Sequence, residues 1–293
     1  MAVGRKRVAF ARINRRAETT EGMGVRPFAV DMRHLAESHE THTQFRGREW
    51  IAADLRLLPS EDHMTGVLGF SDIELLRDFD LAAFSWLKGP VRAEVGASER
   101  TMVPFAIDLH EDRRWVAFGT SHRIQPYGFA RGFEATLNAA VGKLGLMPSE
   151  WEVDLVIPVA RVEEWLDLYP EVVRFTRYVR LHNPGLKLDR DRAEMRALGA
   201  RLKQETFSSE RGRQLKVKDN PEFDRGLEGL ETGDLDVYLE AGRGVTKRTF
   251  SSRRMADRVW VTDYGDDLEY GMELMLRAVL EYATEGGMQE TII

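Results

Sequence analysis

Two runs of basic residues carry the strongest chemical signal in this sequence. Arg211, Arg213, Lys216 and Lys218 alternate along a polar stretch, and Arg243, Lys247, Arg248, Arg253 and Arg254 follow with Thr246, Thr249, Ser251 and Ser252 among them. Alternation along an extended chain puts like charges on one side. Guanidinium, ammonium and hydroxyl groups together are the set that grips phosphate oxygens. A third group, Arg174, Arg177 and Arg180, has Phe175 and Tyr178 interleaved. The chain as a whole has a formal charge of −6, yet Arg174 to Lys218 holds 13 Lys/Arg against 5 Asp/Glu, and Arg243 to Arg258 holds 6 against 1. Such a local excess is the electrostatic footprint of a polyanion binder. After Val261 the sign reverses: Asp263, Asp266, Asp267, Glu269, Glu273, Glu281, Glu285 and Glu290 face only Arg277. A basic face neutralised by this acidic segment, or by a sister subunit, is therefore the competing reading.

Other constellations are weaker. Tyr264-Gly265-Asp266-Asp267 spells a metal-binding string of polymerases, but a helical pattern follows it, and Asp at a helix start is ordinary capping. His34, His39 and His42 lie close together without the spacing of a zinc helix and read as a solvated polar loop. Glu152 and Asp154 point to one face of a strand, where a metal-dependent nuclease or other hydrolase could use paired carboxylates. Val153, Leu155 and Ile157 on the opposite face make a half-exposed strand the simpler account. No phosphate-binding glycine loop, dinucleotide fingerprint or nucleophile elbow occurs. No cofactor is expected, and enzymatic activity is the less favoured reading.

The elements that position the basic runs can be read from periodicity and turn chemistry. VAFARI (Val8 to Ile13) is a strand. REWIAADLRLLP and TGVLGFS, joined through Pro59, Ser60 and Asp62, form one hairpin, and VPFAIDL and WVAFGT, joined through HEDRR, form another. Tyr127 to Leu144 has helical spacing of Phe129, Phe133, Leu137, Ala140, Val141 and Leu144, with Gly145 and Pro148 as its stop. A strand (WEVDLVIPV), a helix (VEEWLDLY) and a strand (VVRFTRYVRL) follow as a unit compatible with a parallel crossover. DRDRAEMRALGARLKQE reads as a charged helix and ERGRQLKVKDNPEFDRG as a polar loop. LDVYLEAGRGVTKRTF is a strand or hairpin, and RVWVTDYGDDLEYGMELMLRAVLEYA a strand entering a helix. The expectation is an α+β fold of two modules with mixed or antiparallel sheets and a few packing helices. Residues 1–148 form the first module and 149–293 the second, and residues 259–293 can pack back onto the first.

The chain has 293 residues, 43% of them hydrophobic, and no cysteine, which excludes disulfides and thiolate metal sites. The basic segment MAVGRKRVAFARINRR lacks the apolar core of a secretory signal, and no window approaches a membrane span. The protein is expected to be soluble and cytoplasmic, without direct membrane insertion.

The order of elements resembles the RexA-like phage-exclusion proteins of temperate phages. The resemblance lies in VAFARINRR, in FAIDLHEDRRWVAFG, in the strand, helix, strand region with HNP, and in LDVYLEAGRG before a closing helix. It implies a two-domain homodimer that binds double-stranded DNA without strong sequence preference and serves antiviral defence by phage exclusion or abortive infection. It also implies a membrane-protein effector as a further partner. The charged segment between Pro184 and Glu231 departs from that pattern. A protein-interaction module, toxin or inhibitor, whose basic segments meet an acidic protein surface, is the remaining alternative.

Overall fold

The largest sheet is organised around the first strand, β1 (Arg5–Arg15). The computed structural model describes residues 4–15, 26–38, 41–60, 62–72, 101–146, 150–180, 189–200, 202–231 and 233–285, with two-residue strands at 75–76, 79–80, 85–86 and 91–92. After β1 come α1 (Phe28–Ser38), β2 (His42–Phe45), β3 (Arg48–Leu57) and β4 (His63–Asp72). Of the short strands β5 (Leu75–Leu76), β6 (Phe79–Asp80), β7 (Ser85–Trp86) and β8 (Val91–Arg92), β5 pairs with β8 and β6 with β7. Then follow β9 (Thr101–Asp108), β10 (Trp115–Gly119), α2 (Pro126–Lys143), β11 (Trp151–Leu155) and α3 (Val159–Leu168). The remainder runs β12 (Val172–Arg180), α4 (Asp189–Ala197), β13 (Leu202–Ser208), α5 (Pro221–Arg225) and β14 (Leu235–Ala241). It ends with β15 (Arg248–Ser251), β16 (Arg258–Thr262) and α6 (Leu268–Glu285). Helices and antiparallel strands in two sheets make this an α+β fold.

The eight-stranded sheet has the order β11-β1-β10-β9-β4-β3-β2, and β16 shares an edge of β1 with β11. β11 pairs with Ala11 to Arg15 and β16 with Arg5 to Ala9. They hand over at Phe10, whose N–H donates to the Asp257 carbonyl at 3.3 Å and whose carbonyl accepts from the Val156 N–H at 3.2 Å. Every described pairing is antiparallel.

Helices cover both faces of this sheet. Ala9, Ala11 and Ile13 point into a core with Phe28, Met32 and Leu35 of α1 and Phe129, Phe133, Leu137 and Ala140 of α2. Val8 and Phe10 point the other way, with Val259 and Val261, onto Leu274, Met275, Ala278 and Tyr282 of α6. With cover on both sides β1 is buried without a break from Val8 to Asn14, losing the alternation of a half-exposed strand. The aromatic packing is close: Phe118 stacks on Phe129 at 3.8 Å between centroids, and Phe10 on Tyr282 at 4.2 Å. α2 approaches β3 closely because Gly132 lacks a side chain; a Cβ there would lie 2.4 Å from the Trp50 ring. No helix among the described residues is long and apolar enough to cross a membrane.

The second sheet has the order β13-β12-β14-β15. One face carries Phe175, Val179, Val237, Leu239 and Phe250 against Val162 and Trp165 of α3, Met195 of α4 and Phe223 of α5. The other is polar, with Arg174, Thr176, Tyr178, Tyr238 and Glu240 in register.

Three expectations change. The strand, helix, strand unit is real, but β11 belongs to the large sheet and β12 to the small one, so α3 joins two sheets and makes no parallel crossover. The charged helix stops at Ala197, with Gly199 in the left-handed conformation at φ 63°, and the chain returns as β13. Pairing on β12 overrides local helix preference there: Arg177 bonds Glu205 across the pair, and Lys203 bonds Asp191 at 2.7 Å. The polar loop contains α5 and buries Val217 and Phe223, and Leu227 and Leu230 are buried directly after it.

Candidate nucleic-acid interface

Arg5 and Arg7 share the face of β1 that carries Ala9, Ala11 and Ile13, but they lie past the cover of the helices and are exposed. β16 runs antiparallel beside them with Arg7 opposite Trp260 and Ala9 opposite Arg258, so alternation puts Arg258 and Trp260 on that same face. α3 supplies the opposing wall. Its residues Arg161, Glu164, Trp165 and Leu168 fall at i, i+3, i+4 and i+7 and form one stripe. Met255, Ala256 and Val259 complete a cleft of about 680 Å³.

Four guanidinium groups thus line one cavity with one carboxylate in its lining, Glu164, which Arg161 holds at 2.9 Å; Arg161 also acts on the buried Asp257, pulling its carboxyl down against the effect of burial. Among the described residues no carboxylate pairs with Arg5, Arg7 or Arg258. Burial pushes the Arg258 pKa down, and the like charges of Arg7 and Arg161 push it further the same way. A bound anion would relieve that repulsion. The Arg7 guanidinium lies over the Trp260 ring, 4.7 Å from its centroid, which holds both groups in place. Trp260, Leu168 and Met255 remain 41%, 72% and 38% exposed, so the cleft presents apolar and aromatic surface beside its charge.

The residues singled out from the sequence gather mostly at one end of the second sheet. Arg243 donates to the Glu210 carbonyl at 3.0 Å and to the Arg213 carbonyl at 3.5 Å, bringing the β14–β15 turn against the 209–213 loop. Arg211 and Arg248 are exposed there. Arg213 pairs with Glu210 at 3.0 Å, and Lys247 with Glu240 at 2.8 Å, a carboxylate that also faces Arg174 at 3.8 Å. Further along the loop Leu215 and Val217 turn inward while Lys216 and Lys218 turn out, Lys218 lying 3.5 Å from Asp167. Arg253 and Arg254 sit at the other end of β15. Arg253 pairs with Asp236 at 2.8 Å and lies over Tyr178 at 5.1 Å. Arg254 is exposed in the turn that leads into Met255 of the cleft. The charge on this set is therefore partly answered by local carboxylates, and the acidic α6 packs elsewhere, its Glu269 bonded to Arg56 at 2.7 Å.

Asp267 of the YGDD string caps α6, accepting from the Tyr270 N–H at 3.0 Å, and Tyr264 is buried. His34 is on α1 and not in a loop, His42 opens β2 beside Lys143, and His39 lies outside the described residues. Among the described residues no cluster of His, Asp and Glu could hold a metal ion. Asp154 is not on a half-exposed strand: it is buried and accepts from Asn14 Nδ2 at 2.9 Å. This contact belongs to a polar seam between the two sheets, where Arg12 faces Asp234 at 3.6 Å and Asn14 reaches the Gly233 carbonyl at 3.5 Å.

Sequence reasoning missed Arg5, Arg7, Arg161 and Arg258 as a group because they come from three distant segments. The only local trace is that RKR and RVW each place basic or aromatic residues at alternate positions beside an apolar strand. No protein-family model, curated protein or solved structure matches this chain.

Proposed function

We propose that this protein is a non-enzymatic, largely sequence-independent DNA-binding protein. The observation that carries the reading is the cleft in which Arg5, Arg7, Arg161 and Arg258 converge with one carboxylate between them. Arginines held close against mutual repulsion are stabilised by phosphates, through charge-assisted hydrogen bonds that fix position and carry no base information. Arg254, Arg248 and Arg211, exposed on the neighbouring surface, extend the positive field beyond the cleft. The resemblance to RexA-like proteins supports a duplex ligand, a homodimer and a role in phage exclusion.

Salt dependence tests this directly. Four phosphate contacts on duplex DNA give a slope of log K against log salt of about −3.6, or about a 150-fold loss between 50 and 200 mM salt. Arg7→Ala/Arg258→Ala, with two contacts left, falls to about −1.8 and about 12-fold. The measurement is fluorescence anisotropy of a labelled duplex. An unchanged slope in the double variant removes the cleft from the interface, and absence of binding at low salt removes the DNA reading.

A further inference from the structure

We propose that the arginine cleft holds unpaired nucleotides of a DNA strand, the base against Trp260 and the apolar wall and the phosphates on the arginines. This rests on the DNA-binding reading above and narrows it to a strand form.

Three features of the cleft lead there. Its volume, about 680 Å³, is in the range of sites that enclose a small ligand and takes a nucleotide or two. A duplex offers such a cavity only its outer phosphates, with its bases stacked inside. Second, the lining is amphipathic. Phosphate contacts alone need cations and hydroxyl groups, yet here Trp165, Trp260, Leu168, Met255 and Val259 stand among the arginines. The three most exposed of them, Leu168, Trp260 and Met255, form apolar surface that water covers in the free protein. A flat apolar ring with a charged tail answers both halves of the site. Third, Arg7 fixes the indole of Trp260 by lying on it, so the aromatic platform is formed before any ligand arrives. Aromatic platforms next to a positive groove are the recognition mode of single strands, in which every base can stack whatever its identity.

The test uses the full chain and three fluorescein-labelled DNAs: a blunt 16-base-pair duplex, the same duplex with a tail of five thymidines, and a thymidine 12-mer. The tailed duplex is expected to bind about tenfold more tightly than the blunt one, the effect of one stacked base. Trp260→Leu is expected to abolish the difference, so that within this variant the tailed and blunt duplexes bind equally whatever its effect on their common phosphate contacts. Leu168→Ser, at an exposed helix position that cannot disturb the core and with no charge added among the arginines, reduces the tail preference in the same way. Equal affinity for tailed and blunt duplexes overturns the inference while leaving the DNA reading intact, as does a preference that survives both substitutions. Thymidine monophosphate binding as tightly as the 12-mer overturns the strand assignment in favour of a small-molecule site. Failure of all three DNAs to bind overturns the DNA reading itself.

Discussion

Replacing Asp234 by Ala should be among the most damaging single substitutions in this protein. The Asp234 carboxylate and the Arg12 guanidinium are 3% and 4% exposed and lie 3.6 Å apart, one from the loop before β14 and the other from the middle of β1. Arg12 also donates to the carbonyls of Arg113 at 2.9 Å and Asp112 at 2.6 Å, so its position is fixed from the β9–β10 turn. Removing the carboxylate takes a charged partner from a buried cation, a change that costs about 3–5 kcal/mol; the carbonyls that Arg12 also bonds absorb part of the charge and favour about 3. With a urea m-value of about 3 kcal/mol per molar, the midpoint falls by about 1 M. The pair spans the two sheets, so the loss also loosens α3 against β1 and β16, and affinity for DNA should fall with it. Urea unfolding followed by tryptophan fluorescence checks the first part. The double variant Arg12→Met/Asp234→Leu should recover part of the loss, because an apolar pair removes the buried charge together with its partner but leaves the Arg113 and Asp112 carbonyls without their donor. A shift of less than about 1 kcal/mol in Asp234→Ala, or a double variant as unstable as the single ones summed, would refute the reasoning.

Gly132→Ala gains about 1 kcal/mol of helix propensity but drives a methyl into the Trp50 ring, and overpacking of that kind costs about 1–3 kcal/mol. Net destabilisation is expected in urea, changing to stabilisation in a Trp50→Leu background. Burial pushes the His63 pKa below 6.5 against the pull of Asp108 and Asp62, so the unfolded chain takes up a proton that the folded one resists. Stability should fall as pH drops below about 6.5, and His63→Gln should flatten the urea midpoint between pH 7 and 5. Lys247→Ala/Arg248→Ala/Arg253→Ala/Arg254→Ala should weaken DNA binding less than Arg7→Ala/Arg258→Ala, because Lys247 and Arg253 already answer Glu240 and Asp236. A larger loss by anisotropy would move the main contact to the second sheet.

Much of the fold was legible where its cause is local. The β3–β4 and β9–β10 hairpins announce themselves by apolar runs around short polar turns, and α2 by its spacing and by the stop at Gly145. What a segment does against a distant neighbour was not. Nothing between Leu202 and Ser208 says strand until β12 is beside it, and α1 was not expected from its composition. The basic runs were found, yet their partners Glu210, Glu240 and Asp236 could be seen only in three dimensions. The arginine cleft was hidden for the same reason: β1, α3 and β16 meet through sheet pairing and packing, and none carries a run of charge long enough to stand out.

The handover at Phe10 also has a kinetic side. Residues 5–9 find one of their two partner strands only when residues 258–262 have been made, which is a pairing of very high sequence separation. During synthesis β1 therefore waits with part of one edge open and the apolar face of Val8 and Phe10 still without α6. Closure of such distant pairs is slow, and a waiting edge is the place where chains join one another. The same arrangement makes the finished cleft a late product of folding, since Arg258 and Trp260 reach Arg7 in the step that seals the sheet.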